Sequence, residues 1–128
     1  MSTNLHDKLL SECYIYVWNS RVQFRRCIFH IPNEVRRYKK ETAKEHMIRV
    51  QQSRAIGMLP GVLDFIIFYR GRLFITDAKI PPDRLSEAQE KFIEVITSNG
   101  GIFLGTFATL DEFKLMMDRI ENFSKSSL

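Results

Sequence analysis

Two aspartates and a lysine stand at a spacing that can hold a divalent cation: Asp64, and the triplet Asp77-Ala78-Lys79. They fall in a segment where Val62–Tyr69 and Arg72–Ile80 predict two strands, rich in aromatic and β-branched residues and separated only by Arg70-Gly71. With Arg70-Gly71 as the turn, Tyr69 faces Arg72 and Asp64 faces Asp77, with Cβ atoms about 5 Å apart. Strand alternation then puts Lys79 on the face of Asp77, with Leu73 and Ile75 and their partners Phe68 and Ile66. Two carboxylates in so apolar a hairpin are costly to bury unless their charge is compensated. Hard oxygen ligands of this kind suit Mg²⁺ or Mn²⁺. The same spacing also fits two strand-end aspartates satisfied by backbone donors and by Lys79, and an isolated D-x-K triplet does not separate the two readings.

The flanking segments must position these residues. Leu5–Ser20 predicts a helix whose stripe is Leu9, Cys13, Tyr16 and Val17, widened by Leu10, Tyr14, Ile15 and Trp18 towards a largely buried element. Phe24–Ile31 predicts a short strand ended by Pro32. Thr42–Ile56 predicts a second helix with Ala43, Met47, Val50 and Ile56 inward. After Pro81-Pro82, Ser86–Ser98 predicts a helix with Phe92, Val95 and Ile96 inward, closed by Asn99-Gly100-Gly101. Ile102–Phe107 predicts a strand, and Thr109–Phe123 a last helix opened by a Thr109-x-x-Glu112 capping box. The order is α-β-α-β-β-α-β-α. The hairpin is apolar on both faces away from its charges, so it is expected at the centre of a mixed sheet between helices, an α/β/α sandwich in the α/β class. Ser86–Ser98 is then the crossover to a parallel strand at 102–107.

The 128 residues suit one domain, and 45% hydrophobic with 27% charged residues argues against long disorder. No run of about 18 apolar residues predicts a membrane span, and the first residues do not read as a signal peptide. Cys13 and Cys27 form no C-x-x-C pattern and are expected as reduced thiols in a cytoplasmic protein. The net charge of +4 is unevenly spread: residues 21–54 carry ten Lys and Arg against three Glu, leaving the remainder net acidic. A cationic segment on an acidic remainder suits a polyanion such as DNA or RNA, though such runs also occur as plain solvated faces.

Three motifs in order carry a resemblance: Gly57-x-x-Pro60-Gly61-x-x-Asp64, Asp77-Ala78-Lys79, and the helix start Leu85-Ser86-x-x-Gln89. Together they resemble the VRR-NUC domain, a branch of the PD-(D/E)XK nuclease superfamily. Ile31-Pro32-Asn33-Glu34 and the Gly100-Gly101 break are similar to phage-type members, and the likeness covers roughly Leu10 to Phe113. Leu63 stands where the family usually has Pro, and Asp77 where it more often has Glu. The resemblance implies a restriction-endonuclease-like sandwich over residues 1–128. It further implies Mg²⁺, replaceable by Mn²⁺, held by Asp64, Asp77 and the backbone carbonyl of Ala78. Lys79 would position the attacking water or stabilise charge on phosphoryl oxygens.

Gln89 has two expected roles, since Ser86-x-x-Gln89 is itself a capping box and the family's glutamine faces the acids. Glu12 is the expected helper acid on the first helix, reaching the metal through water in the family's manner, with Glu34 as its competitor. Arg36, Arg37, Lys39, Lys40 and Lys44 are the expected phosphate contacts, which position a duplex without reading its sequence. His6, His30 and His46 have no ligand spacing and receive no role. Trp18, Phe24 and Phe29 are expected in the core. The function implied is a Mg²⁺-dependent endonuclease leaving 5′-phosphate ends, acting on branched or structured DNA as Holliday-junction resolvases do. It would work as a homodimer in phage or prophage replication and repair inside a bacterial host. The alternatives are a catalytically silent DNA-binding module and a nuclease acting on RNA or single strands.

Overall fold

The computed structural model describes residues 2–31, 39–55 and 61–126. Among the described residues, four helices and a four-stranded mixed open sheet make a mixed α/β architecture. The helices are α1 (Ser2–Ser20), α2 (Ala43–Ala55), α3 (Glu87–Ser98) and α4 (Leu110–Ser126); the strands are β1 (Ile28–His30), β2 (Phe65–Tyr69), β3 (Arg72–Ala78) and β4 (Ile102–Phe107). Strands run β1-β2-β3-β4 across the sheet, antiparallel for the first two pairings and parallel for β3 with β4.

The hairpin closes on Arg70 and Gly71, at φ 50° and 79°. Positive φ at both central residues is what a two-residue type I′ turn needs, and it matches the strands' twist. Tyr69 therefore pairs with Arg72 and Phe65 with Thr76, the register expected from sequence. β4 carries one extra residue: Ile75 pairs with Phe103 but Asp77 with Thr106. Gly105 sits at that irregularity with φ 97°, a β-bulge that a glycine accepts without strain, and its carbonyl accepts the Thr76 hydroxyl at 2.7 Å.

The main core lies on the face carrying Phe65, Ile67, Phe74 and Ala78, under α1 and α4. Phe65, Phe107 and Phe113 form a ring cluster with centroids 5.1–6.3 Å apart. Leu9, Leu10, Cys13 and Val17 anchor α1 there, while Met116, Met117 and Ile120 anchor α4. Arg21 ties the two helices at their outer end through Asp118 (2.7 Å) and Glu121 (2.9 Å). On the opposite face lie Ile75, Asp77 and Lys79, beside α3.

Several elements differ from expectation. β1 begins at Ile28, because Val22–Phe24 forms a 3₁₀ turn and Arg26 takes φ 67°, which breaks an extended run. Phe24 is buried against Tyr69, at 4.3 Å between centroids, from that turn and not from a strand. Tyr14, Ile15 and Trp18 are exposed, so α1 buries one stripe only, and Arg25 caps the Trp18 ring. Phe29, at 46% exposure, is outside the core, and Val95 also faces outward. None of the α2 residues is buried: Ala43 and Met47 are exposed, and Ile56 lies outside the described residues. Local polar contacts hold this helix instead. Thr42 and Glu45 cap each other, and Glu41 receives Arg49 Nη2–H at 2.9 Å.

Candidate active site

β2 opens one residue after Asp64, so the backbone at Val62–Asp64 has already left the ladder. The Ala78 N–H, which would otherwise reach a β2 carbonyl, donates instead to Asp64 Oδ2 at 3.0 Å. In return the Asp64 N–H donates to Asp77 Oδ1 at 2.8 Å. These reciprocal bonds clamp the two carboxyls side by side at the end of the hairpin, with exposures of 5% for Asp64 and 1% for Asp77.

Lys79 Nζ lies 3.1 Å from Asp77 Oδ2. Gln89 caps its own helix with one end of its amide and contacts an acid with the other. Its Oε1 accepts the Ser86 N–H at 3.0 Å to complete the cap of α3, and its Nε2 donates to Asp77 Oδ2 at 3.3 Å. Gly61, with φ 83°, lets the loop run against the start of that helix; a Cβ there would meet the Ala88 carbonyl carbon and oxygen at 2.5 Å. The close approach sets the distance between Gln89 and the acids.

His6, which carries no signal in the sequence, is part of this cluster. Its Nε2 donates to Asp64 Oδ2 at 2.9 Å across 58 residues of chain. His30 Nδ1 and the Ile31 N–H both donate to the Asp64 carbonyl, at 3.0 and 3.1 Å. Glu12, by contrast, is exposed and is not brought to the acids. It lies six residues from His6, about 120° round the helix and about 9 Å along it. Glu34, Arg36 and Arg37 lie outside the described residues. Lys39, Lys40 and Lys44 are exposed, whereas Arg21 and Arg49 of the same basic segment are engaged by acids.

The electrostatics follow from crowding two acids in a buried place. Burial pushes the Asp77 carboxyl up to about 6, with the adjacent Asp64 adding to the rise and Lys79 opposing it. Burial acts against ionisation of Asp64 too, but hydrogen bonds from His6 and Asp77 outweigh it and hold Asp64 below its usual range. His6 is raised by its bond to Asp64, against the effect of burial. Below about pH 6 the pair therefore holds one proton, mainly on Asp77, because two carboxylates at one site cannot both ionise freely.

Among the described residues no group of three or more His, Cys, Asp or Glu side chains is arranged to hold a metal ion. The acids present hard carboxylate oxygens of the kind a divalent cation prefers, and these oxygens are engaged by the Asp64 and Ala78 N–H groups, His6, Lys79 and Gln89. Among the described residues no helix is long and apolar enough to cross a membrane. No family model, curated protein or solved structure matches the chain.

Proposed function

We propose that the chain is a Mg²⁺-dependent nuclease of the VRR-NUC type, with a restriction-endonuclease-like α/β/α core, that hydrolyses phosphodiester bonds in branched or structured DNA. One observation carries the reading: two buried carboxyls clamped face to face, with an ammonium group 3.1 Å from one of them. Burial and the neighbouring Asp64 push Asp77 up to about 6, and carboxyls perturbed in this way concentrate at functional sites.

Asp64, Asp77 and the Ala78 carbonyl would hold the ion. When bound, it would neutralise charge on the scissile phosphate and lower the pKa of a water so that hydroxide forms near neutral pH. Lys79, already oriented by Asp77, would stabilise charge developing on the phosphoryl oxygens. Gln89 fixes Asp77 Oδ2 from the α3 side, and Gly61 keeps that helix close. Exposed Lys39, Lys40 and Lys44 would contact phosphates and draw the duplex in. A homodimer acting inside a bacterial host, from a phage or prophage gene, completes the proposal.

The test is incubation of the purified protein with Mg²⁺ and a panel of duplex, single-stranded, flap and four-way DNA, with RNA alongside. Cleavage of branched DNA, lost in Asp77→Ala while binding persists, is the expected result. Binding without cleavage of any member would show a silent DNA-binding module, and preferential cutting of RNA would move the substrate. Cleavage undiminished in Asp77→Ala would refute the site.

A further inference from the structure

We propose that the open half of the sheet face carrying Asp77 binds an unpaired DNA strand, with bases stacked on Phe29 and Phe68 and phosphates held by Arg26 and Arg70; this deepens the nuclease reading above and rests on it for the link to cleavage. Strand alternation puts Phe29, Ile66, Phe68, Leu73 and Asp77 on one side of the sheet. Helix α3 covers part of that side, packing on β4 and reaching Asp77 through Gln89. Phe29 on β1 and Phe68 on β2 stay 46% and 52% exposed. Phe29 pairs with Ile66, so Phe68 is its diagonal neighbour, about 7–8 Å away. A groove of about 500 Å³ runs beside Phe68, bordered by Leu73 and Ile96. That is room for a base with its sugar.

Positive charge is fixed at the same end of the sheet. The Phe68 N–H donates to the Cys27 carbonyl at 2.8 Å, which carries the pairing one step further and brings Arg26 beside the Tyr69–Arg70 end of β2. Among the described residues, Arg26 at φ 67° and Arg70 at φ 50° are the non-glycine residues with positive φ. Glycine or asparagine would hold either position with less strain, so an arginine there points to a use for its charge. Both arginines are exposed, and Arg70 borders the groove. Rings and charge together select the occupant: a polyanion with uncovered flat apolar faces. An unpaired strand has both, whereas a duplex keeps its base faces stacked inside. Phe68 lies four residues along β2 from Asp64, about 13 Å by strand rise. A short unpaired run laid across the face from the rings would therefore bring a phosphate to the clamped carboxyls.

Fluorescence anisotropy of a short labelled oligothymidylate, titrated with the full chain in EDTA so that no cleavage intervenes, tests the surface. Phe29→Leu and Phe68→Leu keep apolar bulk at exposed positions and remove the ring; each should weaken binding at least about fivefold, while Phe68→Tyr keeps it. Blunt duplex should bind both leucine variants as it binds wild type. Arg26→Gly and Arg70→Asn suit their backbone angles and should each lower the slope of log K against log salt by about 0.7. Single-strand affinity unchanged in both leucine variants, or a wild-type protein that binds duplex but no single strand, would overturn the proposal and leave cleavage of branched DNA standing. The expected losses without Mg²⁺-dependent cleavage of any DNA would keep the surface and remove the nuclease reading. Tighter binding of oligouridylate through the same rings would overturn the assignment to DNA.

Discussion

Asp64→Asn should stabilise this protein above neutral pH in the absence of divalent ions, although it removes a proposed metal ligand. In the wild type the Asp77 carboxyl rises from 3.8 to about 6. At about 1.4 kcal/mol for each pH unit, that shift amounts to about 3 kcal/mol of lost stability; no discount for screening applies to a group that is 1% exposed. The sign follows from proton counting. Between pH 3.8 and about 6 the native Asp77 holds its proton more tightly than the unfolded chain does, so stability falls as pH rises through that window. The depressed Asp64 contributes oppositely: its stabilisation is present above its unfolded value and is lost as pH falls below it.

An asparagine at 64 keeps an oxygen for the Ala78 and His6 donors and turns an amide N–H₂ towards Asp77, replacing repulsion with a hydrogen bond. Burial, the largest cause, remains, and the variant gives up the stabilisation of ionised Asp64 by His6, so the net gain expected at pH 8 is about 1 kcal/mol at most out of about 3. At pH 5 Asp77 is already mostly protonated, and the gain should shrink below about 0.5 kcal/mol. Urea unfolding in EDTA at the two pH values measures both figures, with carbon NMR of the Asp77 carboxyl as a direct titration. A variant less stable than wild type at pH 8, or a difference independent of pH, would refute the account of the acid pair.

Four more outcomes are expected. Gly61→Ala should cost about 2 kcal/mol or more in thermal unfolding, through a positive φ and the 2.5 Å approach to Ala88, with cleavage falling further than stability alone explains. Gln89→Glu should keep the α3 cap while pushing the Asp77 titration higher; Gln89→Ala should lose the cap as well, at about 1 kcal/mol in denaturant unfolding. Lys79→Met should lower single-turnover cleavage about 10²-fold or more while DNA affinity changes less than about threefold. Each of Lys39→Ala, Lys40→Ala and Lys44→Ala should reduce the slope of log K against log salt by about 1 in a binding titration.

The hairpin was legible in the sequence because its information is local. Strand alternation and a two-residue turn suffice to place Asp64 near Asp77 and to turn Lys79 to the same side. Gln89 was legible in part, since the S-x-x-Q cap and the family's motif each claimed it; only the structure shows one end of its amide in the cap and the other on Asp77. His6 was not legible at all. Its contact joins residues 58 apart through the docking of α1 on the core, and no spacing rule reports such a meeting. Glu12 drew notice by residue type, yet helix rotation sends it elsewhere. The inward residues expected of α2 failed for another reason: a weak apolar stripe does not guarantee burial when capping and ion pairs can hold a short helix locally.

Gly105 acts as a parity switch. Ahead of it, Phe103 shares the side of Ile75 and Leu104 turns to the main core; counting by twos would send Phe107 out with Phe103. The one unpaired residue reverses the count, so Phe107 comes down beside Ala78 and lies nearly parallel to the Phe65 ring, next in sequence to Asp64. Deleting this single position would leave Thr106 opposite Asp77 and Phe107 opposite Ala78 in an uninterrupted ladder, so the aromatic floor would survive and only the carbonyl that receives the Thr76 hydroxyl would be lost.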